Sequence, residues 1–315
     1  MFEYKKKDME ELNMKFVTVF SMFIAFLAGY FSQKISKQFH QRKNPWVKSL
    51  SERIEDAWGN LSAEQIQALV RMFGKQKTKY LKETSGKDLI FVSQYGEDIF
   101  LAEFFDFKSS GFFIEIGAYD GVFLSNTYVF ERLGWKGILV EPLPEKYREC
   151  VLNRPNSIVI NAAVGNGSTQ TTEITHVIGV YPSTNETLST HSFVNGSPER
   201  IERCMNLGAK FESFTVPYRS FDDIAVECGM AMSTSIDLLS IDCEGMDFEV
   251  LKSINFDIWR PRLILIESTG YKVVEYLQKF GYCPALRIVG NTVFAQNSMD
   301  CEKLTKNRYW QAMPL

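Results

Sequence analysis

Five short runs rich in Ile, Leu and Val recur along the last two thirds of the chain: Phe112–Ile116 and residues 137–141, 158–162, 238–242 and 263–267. Helical stretches fall between several of them, at residues 144–152, 246–254 and 272–280. Strand runs that are apolar on both faces and separated by helices describe a parallel sheet covered on both sides. Right-handed crossovers then give a doubly wound α/β architecture. The chain closes with LRIVGNTVFA, two β runs joined at Gly290-Asn291, a two-residue hairpin signal that makes the last strand antiparallel to its neighbour.

The first run continues as FFIEIGAYDG, residues 112–121. Gly117 and Gly121 permit a tight turn and close backbone approach to a ligand. A helix follows over residues 125–133, with Ser125 placed to cap it and Gly134 placed to end it. Ligands of open α/β sheets bind outside the carboxyl ends of the strands. Four acids sit at those ends here, Glu115, Glu141, Asp242 and Glu267. Glu141 lies about 20 residues past the glycine turn, where an acid accepts the ribose hydroxyls of an adenosine cofactor. The turn lacks the G-x-G-x-x-G of a pyrophosphate binder, and Asp120 would repel a pyrophosphate. S-adenosylmethionine, a cation with no phosphate, fits an acidic loop of this kind.

Net charge over the 315 residues is −3, so no basic field points to nucleic acid. The six cysteines show no CxxC pair, which argues against a zinc site and against a dense disulfide framework, and leaves the compartment open.

Ahead of the sheet pattern, residues 16–33 carry no charge between Lys15 and Lys34. That length is adequate for a spanning helix. The expected organisation is a polar tail at 1–15, a single-pass membrane anchor at 16–33, a helical juxtamembrane spacer at 34–86 and a catalytic domain at 87–315. Lys and Arg flank the run on both sides, so the positive-inside rule does not choose an orientation.

The ordered set SQYGEDIFL (residues 93–101), FFIEIGAYDG, SNTYVFERLGWKGILVEPLPEKY (125–147), NAAVG (161–165), TVPYRSFDDI (215–224), IDLLSIDCEGMDFEVL (236–251), PRLILIES (261–268) and NTVFA (291–295) resembles the FkbM-type S-adenosylmethionine-dependent methyltransferases. A parallel sheet finished by an antiparallel hairpin agrees with a class I methyltransferase fold. One departure is visible, the shorter Asp247 where the family usually has Glu. The resemblance implies methyl transfer to a hydroxyl, commonly on a sugar of a glycan or a natural product. It implies that Glu115, Gly117, Asp120 and Gly121 line the cofactor, with Glu141 on its ribose. Gln94 and Glu97 belong to a cap over the methionine end.

Such a transfer needs orientation and a group to take the hydroxyl proton. Asp242 with Glu244 at the fourth strand's end, and His191 in the loop spanning residues 181–198, are the candidates. Asp242 with Glu244 or Glu267 could instead bind Mg²⁺; a metal-free arrangement is favoured. The rival readings are an inactive anchored family member with a trafficking or scaffold role, and a nicotinamide dehydrogenase, which the missing phosphate loop disfavours.

Overall fold

A computed structural model of the chain describes residues 89–182, 187–194, 196–267, 270–288 and 290–305. The tail, anchor and spacer expected at 1–15, 16–33 and 34–86 lie outside these residues. Among the described residues, no helix is long and apolar enough to cross a membrane.

The elements run α1 (Glu97–Phe104), β1 (Phe112–Ile116), α2 (Tyr128–Leu133), β2 (Lys136–Val140), α3 (Pro144–Asn153), β3 (Ile158–Ile160), β4 (Ala163–Val164) and β5 (Thr171–Ile178). A 3₁₀ turn (Ser189–His191) precedes β6 (Phe193–Val194), α4 (Pro198–Asn206), β7 (Lys210–Arg219) and α5 (Phe221–Glu227). Then come β8 (Leu238–Ile241), α6 (Asp247–Lys252), β9 (Leu263–Ile266), α7 (Tyr271–Gln278), β10 (Cys283–Ile288), β11 (Asn291–Ala295) and α8 (Ser298–Thr305).

Seven strands form the main sheet in the order β10-β11-β9-β8-β1-β2-β3. β1, β2, β3, β8 and β9 are parallel, and β11 is antiparallel to both β9 and β10. This is the mixed sheet expected of a class I methyltransferase. The hairpin is displaced by one residue from its sequence signal: Ile288 pairs with Asn291, so Asn291 opens β11 and is not part of the turn.

Each face of the sheet buries its own core. Phe113, Leu139, Leu238, Leu263, Leu265 and Val293 pack on one side with α1, α2 and Trp135. Ile114, Ile116, Val140, Ile241, Ile266 and Phe294 pack on the other with α5, α6 and α7. Alternation along each strand divides the residues this way, and each fully buried large side chain contributes about 1.5–3 kcal/mol relative to exposure. Gly134 ends α2 in the left-handed region at φ 106°, as its placement predicts. Ser125 stands two residues ahead of the cap, and its Oγ accepts from the Thr127 and Tyr128 amides at 3.2 and 3.1 Å.

A second sheet, in the order β4-β7-β5-β6, is built from the chain between β3 and β8. Its long pair, β5 with β7, is antiparallel over eight residue pairs. The sequence pattern marks no strand between residues 163 and 219, because β5 alternates Thr, Glu and His with few apolar positions. Its Thr content is nonetheless a strand signal. Cys283 on β10 and Cys301 on α8 form a disulfide with Cα atoms 6.4 Å apart.

Candidate active site

Backbone hydrogen bonds carry the ladder one residue past the strands at the carboxyl edge. Gly117 N donates to Val140 O at 2.9 Å, Asp242 N to Ile116 O at 3.0 Å, and Glu267 N to Ile241 O at 2.9 Å. Gly117, Asp242 and Glu267 are therefore held in a row at the strand ends. A cavity of about 280 Å³ opens over this edge, and Gln94, Glu115, Gly117, Glu141, His191, Asp242, Glu244 and Glu267 all line it.

The glycine turn is shaped first by its own chain. Gly117 has φ 87°, and a Cβ there would lie 1.8 Å from the Asp242 carbonyl oxygen. A Cβ on Gly121 would meet Arg154 Cγ at 2.7 Å. Both positions thus need glycine to let neighbouring parts of the protein approach. Gly121 and Asp120 lie outside the cavity wall; Asp120 Oδ1 accepts from the Val122 and Phe123 amides at 2.8 and 2.7 Å and closes the turn.

Beneath the turn lies Arg154, fully buried. It donates to the Gly121 carbonyl at 2.9 Å, to Glu131 Oε2 at 2.9 Å and to Thr127 Oγ1 at 3.1 Å. Glu115, also buried, accepts from Ser125 Oγ at 2.8 Å, the Asn126 amide at 2.9 Å and Thr127 Oγ1 at 2.7 Å. The acid of the FFIEIG run therefore staples the loop as well as lining the cavity. Arg154 has no motif in the sequence that marks it, since an Arg before Pro155 reads as an exposed loop residue.

At the end of β2, Glu141 is 5% exposed. Its two oxygens each accept one backbone bond, Oε2 from Tyr119 N and Oε1 from Leu143 N, both at 2.8 Å. Burial pushes its carboxyl up to about 8, against the pull of those bonds and of Lys146. Each oxygen keeps a lone pair for a hydroxyl donor. Leu143, Ala163, Ile174 and Val194 form an apolar cluster in the same part of the wall.

The strap Ser93–Glu97 crosses from the glycine loop toward β11. Ser93 bridges to Leu124 and is tied to Asp98, whose Oδ2 accepts from the Ser93 amide at 3.1 Å. Gln94 lines the cavity, whereas Glu97 is sealed behind it. Glu97 accepts from Tyr95 N at 2.8 Å and from Asn291 Nδ2 at 2.8 Å. Asn291 does line the cavity, a placement hidden by reading it as a turn residue.

Beyond β8, Asp242 is held well above the usual carboxylate range by burial and by the neighbouring charges of Glu267 and Glu244. Burial and Glu244 push Glu267 up to about 7. Glu244 adopts φ 50°, a strained conformation for a residue with a side chain. Its carboxylate pairs with Arg200 Nη1 at 2.6 Å and His191 Nδ1 at 3.2 Å, and the other ring nitrogen of His191 meets the Tyr181 hydroxyl. His191 is thus fixed at both nitrogens. Asp247, the shortened acid, accepts from Cys243 N at 2.9 Å and Gly245 N at 3.1 Å, so the shorter side chain still closes this loop. The structure brings Asp242, Glu244 and His191 together at one cavity with Gln94, Glu115, Gly117 and Glu141, and leaves Glu97, Asp120 and Gly121 behind its wall.

Comparison with protein families matches residues 115–283, more than half of the chain, to the methyltransferase FkbM domain. Comparison with curated proteins finds no match. Among solved structures, a precorrin-6y C5,15-methyltransferase from Geobacter metallireducens is similar at 11% identity, covering 65% of this chain and 87% of that chain with a TM-score of 0.35. An O-methyltransferase from Bacillus cereus in complex with SAH is similar at 11% identity, over 74% of this chain and 97% of that chain, with a TM-score of 0.33. The family assignment rests on the domain match alone.

Proposed function

The chain belongs to the FkbM methyltransferase family, and from that premise we propose that it moves the methyl group of S-adenosylmethionine onto a hydroxyl of a sugar or glycan. The observation that carries the donor's identity is the buried Glu141 carboxylate at the end of β2, pinned by two amides with lone pairs to spare. A ribose diol fits it. The apolar cluster of Leu143, Ala163, Ile174 and Val194 suits a purine beside that ribose. The described residues lining the cavity include the acids Glu115, Asp242, Glu244 and Glu267 and no Lys or Arg, a wall that repels a pyrophosphate.

Bound there, the donor supplies an electrophilic methyl group. The protein's own work is to align the acceptor oxygen with it, exclude water and receive the hydroxyl proton as the new bond forms. Asp242, Glu267 and His191 are the groups in the cavity able to receive it. Glu244 positions His191 and is itself neutralised by Arg200. The uncharged run at 16–33 supports an anchored enzyme, which carbonate extraction of membranes tests: release of the full chain rejects it.

Calorimetry tests the donor. The protein should bind S-adenosylmethionine and S-adenosylhomocysteine, and Glu141→Ala should weaken both by about 1–3 kcal/mol through lost hydrogen bonds. Tight binding of NADH instead, or of neither methyl-donor species, would sink the assignment.

A further inference from the structure

Asn291 Oδ1 is a buried acceptor that finds no hydrogen-bond partner among the described residues. The residue is 7% exposed. Nδ2 donates to Glu97 Oε1 at 2.8 Å, which leaves Oδ1 as the end of the amide turned away from Glu97. Glu97, fully buried and unable to reach the cavity, serves to point that oxygen away from itself.

Register shows which residue it neighbours. Thr292 on β11 pairs with Ile266 on β9, so the next position brings Asn291 opposite Glu267. Opposed residues of an antiparallel pair have Cα atoms about 4.5–5.5 Å apart and side chains on one face. Asn291 and Glu267 line the same cavity, as does Asp242. One carboxylate oxygen from each of Asp242, Asp247 and Glu267 falls within 4.8 Å of the others. Asp247 is already oriented by the Cys243 and Gly245 amides and keeps further lone pairs. The fourth acid, Glu244, is paired with Arg200 and stays out of the set.

Three carboxylates and a fixed amide oxygen, with no nitrogen or sulfur among them, are the donor set of a hard divalent cation. We propose that Asp242, Glu267 and Asn291 on the cavity wall, with Asp247 buried behind them, form a site for a divalent cation of the Mg²⁺ or Mn²⁺ class at the β8–β9–β11 end of the cavity. The inference deepens the methyl-transfer reading and rests on it for one point, that the cation meets the acceptor oxygen. Order in the sheet supports that end. Glu141 on β2 and Asn291 on β11 are four strand spacings apart, roughly 19 Å. A donor whose ribose is on Glu141 leaves that far end to the acceptor. An oxygen bound to the cation would lose its proton more readily, and His191 in the same cavity would receive it at Nε2 in exchange for the Tyr181 hydroxyl.

The test is direct titration of the full chain, stripped with EDTA, with MnCl₂ followed by calorimetry, alongside S-adenosylhomocysteine as a separate ligand. One Mn²⁺ should bind with a dissociation constant below about 1 mM. Glu267→Gln should weaken it at least tenfold and Asn291→Ala several-fold, while both variants hold S-adenosylhomocysteine within about twofold of wild type. That second affinity shows that a variant is folded, and the two substitutions lie on different strands, so each checks the other. Absence of Mn²⁺ binding in the wild type overturns the site, as does equal Mn²⁺ affinity in both variants. Mn²⁺ binding without S-adenosylhomocysteine binding would instead keep the cation site and reject the donor.

Discussion

Arg154 and Glu115 lie buried together under the glycine loop, with Nη1 and Oε2 3.5 Å apart and neither side chain more than 5% exposed. Glu131 completes the group at 2.9 Å from Arg154 Nε. Removing the guanidinium would leave two buried carboxylates without their cation, a change that costs about 3–5 kcal/mol. Arg154→Met should therefore lower stability by about that much in urea unfolding and should also loosen the loop that frames the cavity. A loss below about 1 kcal/mol would show that the cluster is neutralised by protons and not by Arg154.

For the proton acceptor, Asp242→Asn and His191→Ala separate the choices. Loss of a general base lowers the rate by about 10²–10⁴. Such a loss in His191→Ala, with S-adenosylhomocysteine affinity in place, identifies His191 as the base, measured as methyl transfer to glycans from cells lacking the protein. The same loss in Asp242→Asn counts as loss of a base only where Mn²⁺ affinity is unchanged as well. Full activity in Asp242→Asn would remove that residue from the chemistry.

Glu141 makes stability depend on pH. Burial raises its carboxyl from 4.5 to about 8 in the folded protein. Between those values the folded state holds a proton that the unfolded chain has released, so stability falls as pH rises from about 4.5 through 8. The permanently neutral Glu141→Gln should flatten this slope in urea melts at pH 5, 6.5 and 8. Parallel slopes in variant and wild type would contradict the assignment. Saturating S-adenosylhomocysteine should flatten it too, since ribose hydroxyls favour the ionised carboxylate.

The Cys283–Cys301 disulfide closes a short loop, with a sequence separation of 18. A crosslink of this span contributes about 3 kcal/mol. Cys301→Ser should lower the melting temperature by several degrees, and reductant should shift the wild type to the same value. No response to reductant would mean the two thiols are not joined in solution.

Much of the main sheet was legible because parallel strands buried on both faces leave unbroken apolar runs, and an acid at the end of such a run falls at the ligand edge. Glu141 and Asp242 are read correctly as cavity residues on that ground. Asn291 was not, because a one-residue shift in the hairpin moves a residue from turn to strand and sets its face. Arg154 escaped because its partners lie 23 to 39 positions away in sequence, at Glu131 and Glu115, and no local pattern marks a long-range charge cluster. β5 and β7 were passed over because a half-polar strand on a small sheet needs few apolar residues. Gly121 and Asp120 have the composition of a ligand loop, yet their side of the turn faces Arg154 and the turn's own amides.

The second sheet and the turn bearing His191 come from one uninterrupted stretch, residues 163–219, while the floor of the cavity is assembled from strand ends scattered along the rest of the domain. Inheritance acts differently on two such halves. The floor can change only by concerted substitutions at distant positions, because each acid there is tied to another segment. The roof can be exchanged as a single cassette between relatives, with both junctions beside strands of the main sheet. Recombination within that one short stretch of the gene would replace the turn bearing His191 and the apolar wall of Ala163, Ile174 and Val194 together, and an engineer can graft the same stretch as one piece.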